Sequence, residues 1–378
     1  MLYGGRSGEH EVSVASAAAI FANLDRSRYE PIAIRIEKDG RWLLADRAPS
    51  AASAAEVLDQ MRGEAGRVRN GREVVLPPRP GEDTLIVISR QTAHGADDGL
   101  AAVTGLALDV IFPVLHGPYG EDGTIQGLLE LANVAYVGSG VLGSATGMDK
   151  AAMKVLFRAR GLQVPDWVVV WQRDWQADPE AVVHRIETAL PYPLFVKPAN
   201  LGSSVGISRV RDRSALGPAL DAAASFDRKV VVEVAVLEAR EIECAVLGNA
   251  EPRASVPGEI VSSREFYDYE AKYLDRASHD EIPAALDADT TARIRQLAVE
   301  AFTAVDAAGL ARVDFLLSRA TGALYVNEIN TMPGFTTISM YAKLWAATDL
   351  PYSALIDELI ALAIARHTDK QRLRTSAF

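Results

Sequence analysis

The chain has 378 residues, 49% of them hydrophobic and 24% charged, which supports two or three folded domains and excludes a disordered protein. Thirty-nine basic against fifty acidic residues give a net charge of −11, with no long basic block and no interleaving of aromatics with arginines, so nucleic acid is not an expected partner. One cysteine excludes an internal disulfide, and no apolar stretch is long enough to span a bilayer, so no membrane is expected as a partner and the expected location is the cytoplasm.

Met1–Tyr3 reads as the end of a strand, Gly4-Gly5 as a turn and Val12–Asn23 as a helix. A first parallel strand usually supplies about five residues, so this one is expected to begin upstream. Alternation from Tyr29 to Glu37 gives a second strand, Lys38–Trp42 a tight turn, and residues 45–81, rich in Ala, Arg, Gly and Pro, a weakly structured excursion with some helix. Leu106–Leu115 reads as one buried strand feeding His116-Gly-Pro-Tyr-Gly-Glu-Asp-Gly and a helix to Ala132. This succession predicts an open parallel α/β sheet with ligands at the carboxyl ends of its strands. Glu9 and His116 would then face one crevice, although each alone reads as well as a helix cap or a solvated loop histidine. Gly4-Gly5 is not a G-x-G-x-x-G fingerprint, which removes the main support for a dehydrogenase.

Asp149-Lys150 begins a helix through Arg158, followed by a strand at Trp167–Trp171 and a helix at Pro179–Leu190. A hairpin from Leu194 to Val210 carries Lys197 on its first strand and Gly202-Ser203-Ser204-Val205-Gly206 at its tip. Unhindered backbone N–H groups and two hydroxyls are what a polyphosphate needs where no helix N-terminus serves it, and the order of lysine and glycines is not that of a Walker A loop. The run Lys229–Gly248 describes two further strands with acids at their junction, which read either as a polar strand edge or as an adenosine site. Cys244 lies in the apolar part of the second and is expected to be a buried thiol. Glu265–Tyr273, with three tyrosines and a phenylalanine, reads as a lid. A helix over Thr290–Ala308 and an amphipathic helix over Tyr352–Arg366 follow, with a frayed tail from His367.

Between those helices Ala311–Leu317 and Leu324–Asn330 read as a hairpin. Alternation places Arg312, Asp314 and Leu316 on one face and Leu324, Val326, Glu328 and Asn330 on the facing one. Asp314 then lies opposite Glu328 and Arg312 opposite Asn330, around an odd-numbered loop centred on Thr321 with Gly322 free to turn left-handed. Two facing carboxylates on apolar strands ask for a cation, and magnesium with bound phosphates answers, since it takes few protein oxygens.

Taken together, Gly-Gly-Arg-Ser-Gly-Glu-His-Glu-Val-Ser from Gly4, His-Gly-Pro-Tyr-Gly-Glu-Asp-Gly from His116, Val-Lys-Pro-Ala-Asn-Leu-Gly-Ser-Ser-Val-Gly from Val196, Phe-Tyr-Asp-Tyr-Glu-Ala-Lys-Tyr from Phe266, Arg-Val-Asp-Phe from Arg312 and Glu-Ile-Asn-Thr-Met-Pro-Gly-Phe-Thr from Glu328 resemble the D-alanine:D-alanine ligases of the ATP-grasp superfamily. The six blocks are collinear from Gly4 to about Arg366. The resemblance implies an N-terminal open parallel α/β sheet domain followed by a two-lobed ATP-grasp fold, with α+β lobes built on antiparallel sheets. The expected divisions are 1–140 for the amino-acid domain, 141–230 for the lobe with the glycine-serine loop, and 231–378 for the lobe with the metal site and lid.

It implies ATP and D-alanine as substrates and two magnesium ions, replaceable by manganese, on Asp314, Glu328 and Asn330. Lys150 and Lys197 would neutralise phosphates under the loop of Ser203 and Ser204, with Glu233 on the adenine side and Glu241 on the ribose. Glu9 would bind the ammonium of the first D-alanine beside His116, and Ser203 and Tyr273 would link to Glu9. Ser339 and Lys272 would take the second carboxylate, and Arg312 and the N–H of Gly334 would face the oxyanion. The product would be D-alanyl-D-alanine for peptidoglycan, made through an acyl phosphate by a homodimer; Tyr273 favours the dipeptide over the D-alanyl-D-lactate ester. The alternatives are that ester-forming ligase, another ATP-grasp carboxylate–amine ligase, or a non-catalytic nucleotide-binding module, which would be expected to lack one of these lysines or carboxylates.

Overall fold

The computed structural model describes residues 1–63, 72–80, 84–90, 101–261, 279–336 and 338–374. Its elements form three sheets, each with its own helical cover.

The first sheet has a short parallel centre. β1 (Leu2–Gly4) and β2 (Ile34–Ile36) are joined through α1 (His10–Asn23), and β1 also pairs in parallel with a later strand at Pro113–Val114. Every residue of α1 from His10 to Phe21 is buried, which its run of alanines and serines allows, because only small side chains let a helix be enclosed on all sides. Beyond β2 the sheet continues antiparallel through β3 (Trp42–Leu44), β4 (Arg72–Val75), β5 (Thr84–Arg90) and β6 (Ala101–Ala107), with α2 (Ala54–Gly63) inserted. Among its described residues the excursion over 45–81 holds one helix, α2, and one strand, β4, which joins the sheet.

Leu106–Leu115 is not one strand. β6 ends at Ala107 on one edge of the sheet, and β7 (Pro113–Val114) forms the opposite edge. One continuous strand cannot occupy both edges, so the chain crosses over residues 108–112 before entering the loop that leads to α3 (Thr124–Ala132).

α4 (Val141–Met148) and α5 (Lys150–Ala159) lead to the second sheet. Asp149 starts α5 by accepting the N–H groups of Ala151 and Ala152, the usual work of an N-cap aspartate. β8 (Trp167–Trp171), α6 (Gln172–Ala177), α7 (Pro179–Ala189), β9 (Leu194–Pro198), β10 (Ser208–Val210), α8 (Arg213–Ala224) and β11 (Lys229–Val234) give an antiparallel sheet in the order β10-β9-β11-β8. Val170, Ile186, Leu194, Val196, Leu216 and Leu220 close its core.

The third sheet holds β12 (Ala239–Gly248), β13 (Arg253–Ala254), β14 (Gly258–Val261), β15 (His279–Glu281), β16 (Gly309–Ser318) and β17 (Leu324–Asn330), in the order β15-β14-β12-β16-β17 with β13 beside β12. α5 and α9 (Ala288–Ala304) cover one face through Met153, Phe157, Ala298 and Phe302. α10 (Met340–Ala346) and α11 (Tyr352–Gln371) belong to a second core that also takes in Phe112 and Val114 of the first domain. β11 and β12 lie in different sheets, so residues 235–238 form the bridge between the two lobes.

The hairpin of β16 and β17 keeps the expected pairs, Arg312 with Asn330 and Asp314 with Glu328, and then departs from strict alternation. The register shifts between Asp314 and Phe315, so that Phe315 faces Val326 and Asn327 is the additional residue. The loop is therefore even-numbered, closed by the Ser318 N–H on the Ala323 carbonyl at 2.9 Å, and not centred on Thr321. Gly322 takes the left-handed turn with φ +68°. The cause is a conflict in the sequence: on one face Leu324 and Val326 would share the environment of Glu328 and Asn330. The bulge separates them, leaving Leu324 and Val326 in the core while Glu328 stays half-buried at the cleft.

α11 runs to Gln371, past the tail expected from His367. Arg366 donates to the Tyr136 carbonyl at 3.1 Å, Lys370 pairs with Glu130, and Gln371 reaches Asn133 at 2.5 Å, so the last turns are tied to the first domain.

Candidate active site

A cleft of about 510 Å³ opens between the second and third sheets, lined among others by Lys197, Ser204, Glu233, Glu241, Asp314 and Glu328. Its floor is the acidic part of β16 and β17, and its wall is β9, β11 and the bridge over 235–238.

On the wall, Glu233 is 2% exposed and lies between two lysines: Lys154 at 2.8 Å from one carboxylate oxygen, and Lys197 in contact with the other. Burial alone would raise the Glu233 pKa, but Lys154 and Lys197 outweigh it and bring it down to about 2. Burial likewise draws Lys197 down, and Glu233 foremost raises it above the ordinary lysine value. The carboxylate expected on the adenine side therefore has both oxygens engaged with lysines. Lys154 escaped the sequence reading, although Lys150, Met153, Lys154 and Phe157 follow helical spacing on the buried face of α5.

On the floor, Arg312 is held bidentately by Asp314, 2.7 Å on each side, with Glu243 at 3.0 Å. Burial opposes the charge, and Asp314 and then Glu243 restore it, holding the guanidinium pKa well above the usual value. Glu243, one residue before the cysteine, is one of the acids at the junction and had no role of its own in the sequence. Glu328 pairs with Lys150 at 3.2 Å, and Lys150 donates to the Leu201 carbonyl at 2.9 Å, tying the floor to the glycine-serine loop. Asn330 accepts the Met332 N–H at 3.0 Å. Asp314 and Glu328 line the cleft, and Glu328 and Asn330 also bound a smaller pocket of about 40 Å³. Asn327 at the bulge adds a buried side-chain oxygen with no hydrogen-bond partner among the described residues. Oxygen donors of this kind suit magnesium. No group of three His, Cys, Asp or Glu side chains that could hold a metal occurs among the described residues.

The loop over residues 202–206 curls through left-handed positions at Ser203 (φ +49°), Ser204 (φ +58°) and Gly206 (φ +71°). Ser203 donates its hydroxyl to Glu9. Glu9 precedes α1 but makes no side-chain cap there; its carboxylate turns away to the loop. A Cβ at Gly117 would lie 2.8 Å from the other Glu9 oxygen, and Gly117 has φ +72°, so only glycine fits between this acid and the loop after β7.

His116 is buried, and both ring nitrogens are already used: Nδ1 on the Met332 carbonyl at 3.0 Å and Nε2 with the Ser16 hydroxyl at 3.2 Å. Burial pushes its pKa down, so it is neutral at pH 7. The Phe335 N–H donates to Ser16 at 3.1 Å, which leaves the serine proton for His116. His116 therefore locks the first domain to the Met332–Phe335 segment with both ring nitrogens engaged, and it lies near enough to Glu9 to feel its charge.

Ser339 starts α10, with its hydroxyl 2.8 Å from that of Thr336, and a Cβ at Gly334 would lie 2.9 Å from it, so Gly334 and Ser339 form one small surface. Cys244 is fully buried and its thiol pKa is pushed up to about 12 by burial, which fits the structural thiol expected. Lys272, Tyr273 and the lid over 265–273 lie outside the described residues.

The family model for the D-ala D-ala ligase N-terminus matches residues 1–139, and that for the D-ala D-ala ligase C-terminus matches 156–361. The chain belongs to the D-alanine–D-alanine ligase family. Among the ligases it resembles, that of Heliobacterium modesticaldum is 48% identical over 375 residues, covering 99% of this chain and 96% of its own. That of Thermoanaerobacter sp. strain X514 is 48% identical over 377 residues, covering 98% of each. Among solved structures, the D-alanine-D-alanine ligase of Coxiella burnetii has a TM-score of 0.78 at 37% identity, covering 98% of this chain and 94% of its own. The VanG D-Ala:D-Ser ligase of Enterococcus faecalis has a TM-score of 0.80 at 34% identity, covering 96% and 98%. The ATP-grasp architecture expected for this ligase is thus the one its sheets display.

Proposed function

We propose that this protein joins two D-alanine molecules at the cost of ATP, giving D-alanyl-D-alanine for peptidoglycan precursors. The observation that carries this reading is the contact between Ser203 and Glu9, which brings the phosphate loop onto the acid of the first domain. A carboxylate that attacks a γ-phosphate needs its amino acid and the nucleotide held edge to edge, and positioning supplies much of the rate in such transfers.

In this reading Lys150, Lys197 and the N–H groups around Ser203 and Ser204 hold the phosphates, and Glu241 takes the ribose hydroxyls. Glu233 fixes Lys197, and the adenine lies along residues 234–237. Asp314, Glu328 and Asn330 would hold magnesium ions, two by analogy with the family and replaceable by manganese, which neutralise charge on the transferring phosphoryl group. Glu9 binds the ammonium of the first D-alanine, whose carboxylate oxygen attacks the γ-phosphorus as ADP departs. The amine of the second D-alanine then attacks the acyl carbon, phosphate leaves, and the amine proton is lost. The oxyanion formed on the way faces Arg312 and the Gly334 N–H, while Ser339 and Lys272 bind the second carboxylate. Tyr273 joins Ser203 and Glu9 when residues 265–273 close, because an acyl phosphate must be kept from water. The chain works as a homodimer in the cytoplasm; no helix among the described residues is long and apolar enough to cross a membrane.

Phosphate release from ATP is the test, measured with D-alanine alone, L-alanine alone, and D-alanine with D-lactate or D-serine as second substrate. Release with D-alanine alone and formation of the dipeptide are expected. Release without D-alanine dependence would refute the reading, and a preference for D-lactate or D-serine would move the product to an ester or a mixed dipeptide.

A further inference from the structure

Glu121 follows β7 in the loop His116–Gly123 and is 7% exposed. Its Oε1 accepts the Gly117 N–H at 2.8 Å, and its Oε2 is buried with no hydrogen-bond partner among the described residues. A buried carboxylate oxygen without a donor is unfavourable and needs a reason.

The loop offers no easy release. Gln126 donates to the Gly120 carbonyl at 2.9 Å and accepts the Gly123 N–H at 3.1 Å, and Asp122 accepts the Tyr119 N–H at 2.9 Å, so the turn is pinned on both sides of Glu121. Gly117 ties this acid to Glu9: its N–H meets Glu121, and its Cα face lies against the Glu9 Oε2. Two carboxylates therefore converge on one glycine, and Ser203 engages Glu9 through the other oxygen. The pocket beside Glu121, about 40 Å³, is bounded by Lys150, Gly202, Glu328 and Asn330, where the three parts of the site meet. Burial, and then the charge of Glu9, push the Glu121 pKa up to about 8. A cation placed between the two acids would relieve both effects. His116 is not that cation, being neutral and fully engaged.

We propose that Glu121 is a second carboxylate of the amino-acid site, its Oε2 accepting an N–H of the ammonium group that Glu9 binds from the other side. This rests on the ligase reading and deepens it: the first substrate is selected as an α-amino acid by two acids, and an isosteric hydroxy acid, with no charge and one donor, leaves one of them unpaired. With its pKa raised to about 8, Glu121 is a neutral acid at pH 7 until the ammonium arrives and draws it back to the carboxylate form.

The test is Glu121→Gln, which keeps the Gly117 hydrogen bond and the volume. KM for the first D-alanine should rise roughly tenfold to a hundredfold, as for a lost hydrogen bond to a charged group, while KM for ATP stays within about twofold. The melting temperature should hold or rise, because an unpaired buried acid has been removed. In thermal-shift titrations with a non-hydrolysable ATP analogue, the wild type should be stabilised by D-alanine far more than by D-lactate, and the variant should narrow that gap. A folded variant with unchanged KM for the first D-alanine, or one that melts lower and loses all kinetic parameters together, would overturn the assignment. Wild-type protein without D-alanine-dependent phosphate release would instead defeat the ligase reading itself.

Discussion

Lys154→Met tests what the lysine pair around Glu233 does. In the native cluster two ammonium groups surround one carboxylate, so one positive charge is in surplus, and Lys197 is the member that lines the cleft. Methionine keeps the apolar stem but leaves Glu233 and Lys197 to cancel each other. Lys154 Nζ stands 2.8 Å from Glu233, whose other oxygen touches Lys197, so a phosphate held by Lys197 would be about 8 Å away; with an effective dielectric of about 20, one charge there is worth about 2 kcal/mol. That corresponds to roughly a thirtyfold weaker hold on ATP. Burial already draws the Lys154 pKa down, so removing its ammonium also relieves a desolvation cost, and the fold should lose less than this figure. Steady-state kinetics should show KM for ATP rising about thirtyfold with KM for D-alanine nearly constant, and Lys154→Arg should recover most of the affinity. A folded Lys154→Met protein with native KM for ATP would show that Lys154 only packs, and the charge argument would be wrong.

Arg312→Ala should lower kcat by about a hundredfold or more, the usual effect of losing an oxyanion donor, with a smaller change in ATP binding measured by calorimetry; equal losses in both would refute the oxyanion role. Cys244 should resist iodoacetamide at pH 8 in the folded protein and react once urea unfolds it, since burial pushes its thiol pKa up to about 12. His116 has a folded-state pKa below its unfolded value of about 6.5, so acid protonates the unfolded chain first: stability should be full above that pH and fall below it, and His116→Gln should remove this part of the denaturation midpoint's pH dependence.

Much of this arrangement is legible in the sequence because the chemistry uses residues that are conspicuous where they stand. Lys197 ends an apolar strand, Ser203 and Ser204 lie among glycines, and Asp314 and Glu328 interrupt hydrophobic runs. Less legible are features set by tertiary partners. Leu106–Leu115 has the hydrophobicity of one strand, but only the sheet order reveals that its halves lie on opposite edges. The bulge at Asn327 did leave a sign, since Leu324 and Val326 at the same parity as Glu328 and Asn330 cannot all be satisfied on one face. Lys154 and Glu121 look like ordinary helix and loop charges until burial is known; what marks them is that neither has water to turn to.

The ion pairs also explain why the site is ready for its ligands. Lys154, Glu233 and Lys197 form a group with one positive charge too many, and Arg312, Asp314 and Glu243 a group with one negative charge too many, while Lys150 and Glu328 cancel between them. The positive group is on the wall beside the glycine-serine loop, and the negative group is on the floor that carries the candidate metal donors. Polyphosphate and divalent cation thus each meet an opposite surplus, and these three groups together carry no net charge before either binds. A wall and floor both in surplus of one sign would attract one ligand and repel the other. Because the surpluses arise from fixed, buried pairs and not from mobile surface chains, little reorganisation is needed when the phosphoryl group moves, which is the condition under which electrostatic stabilisation is most effective.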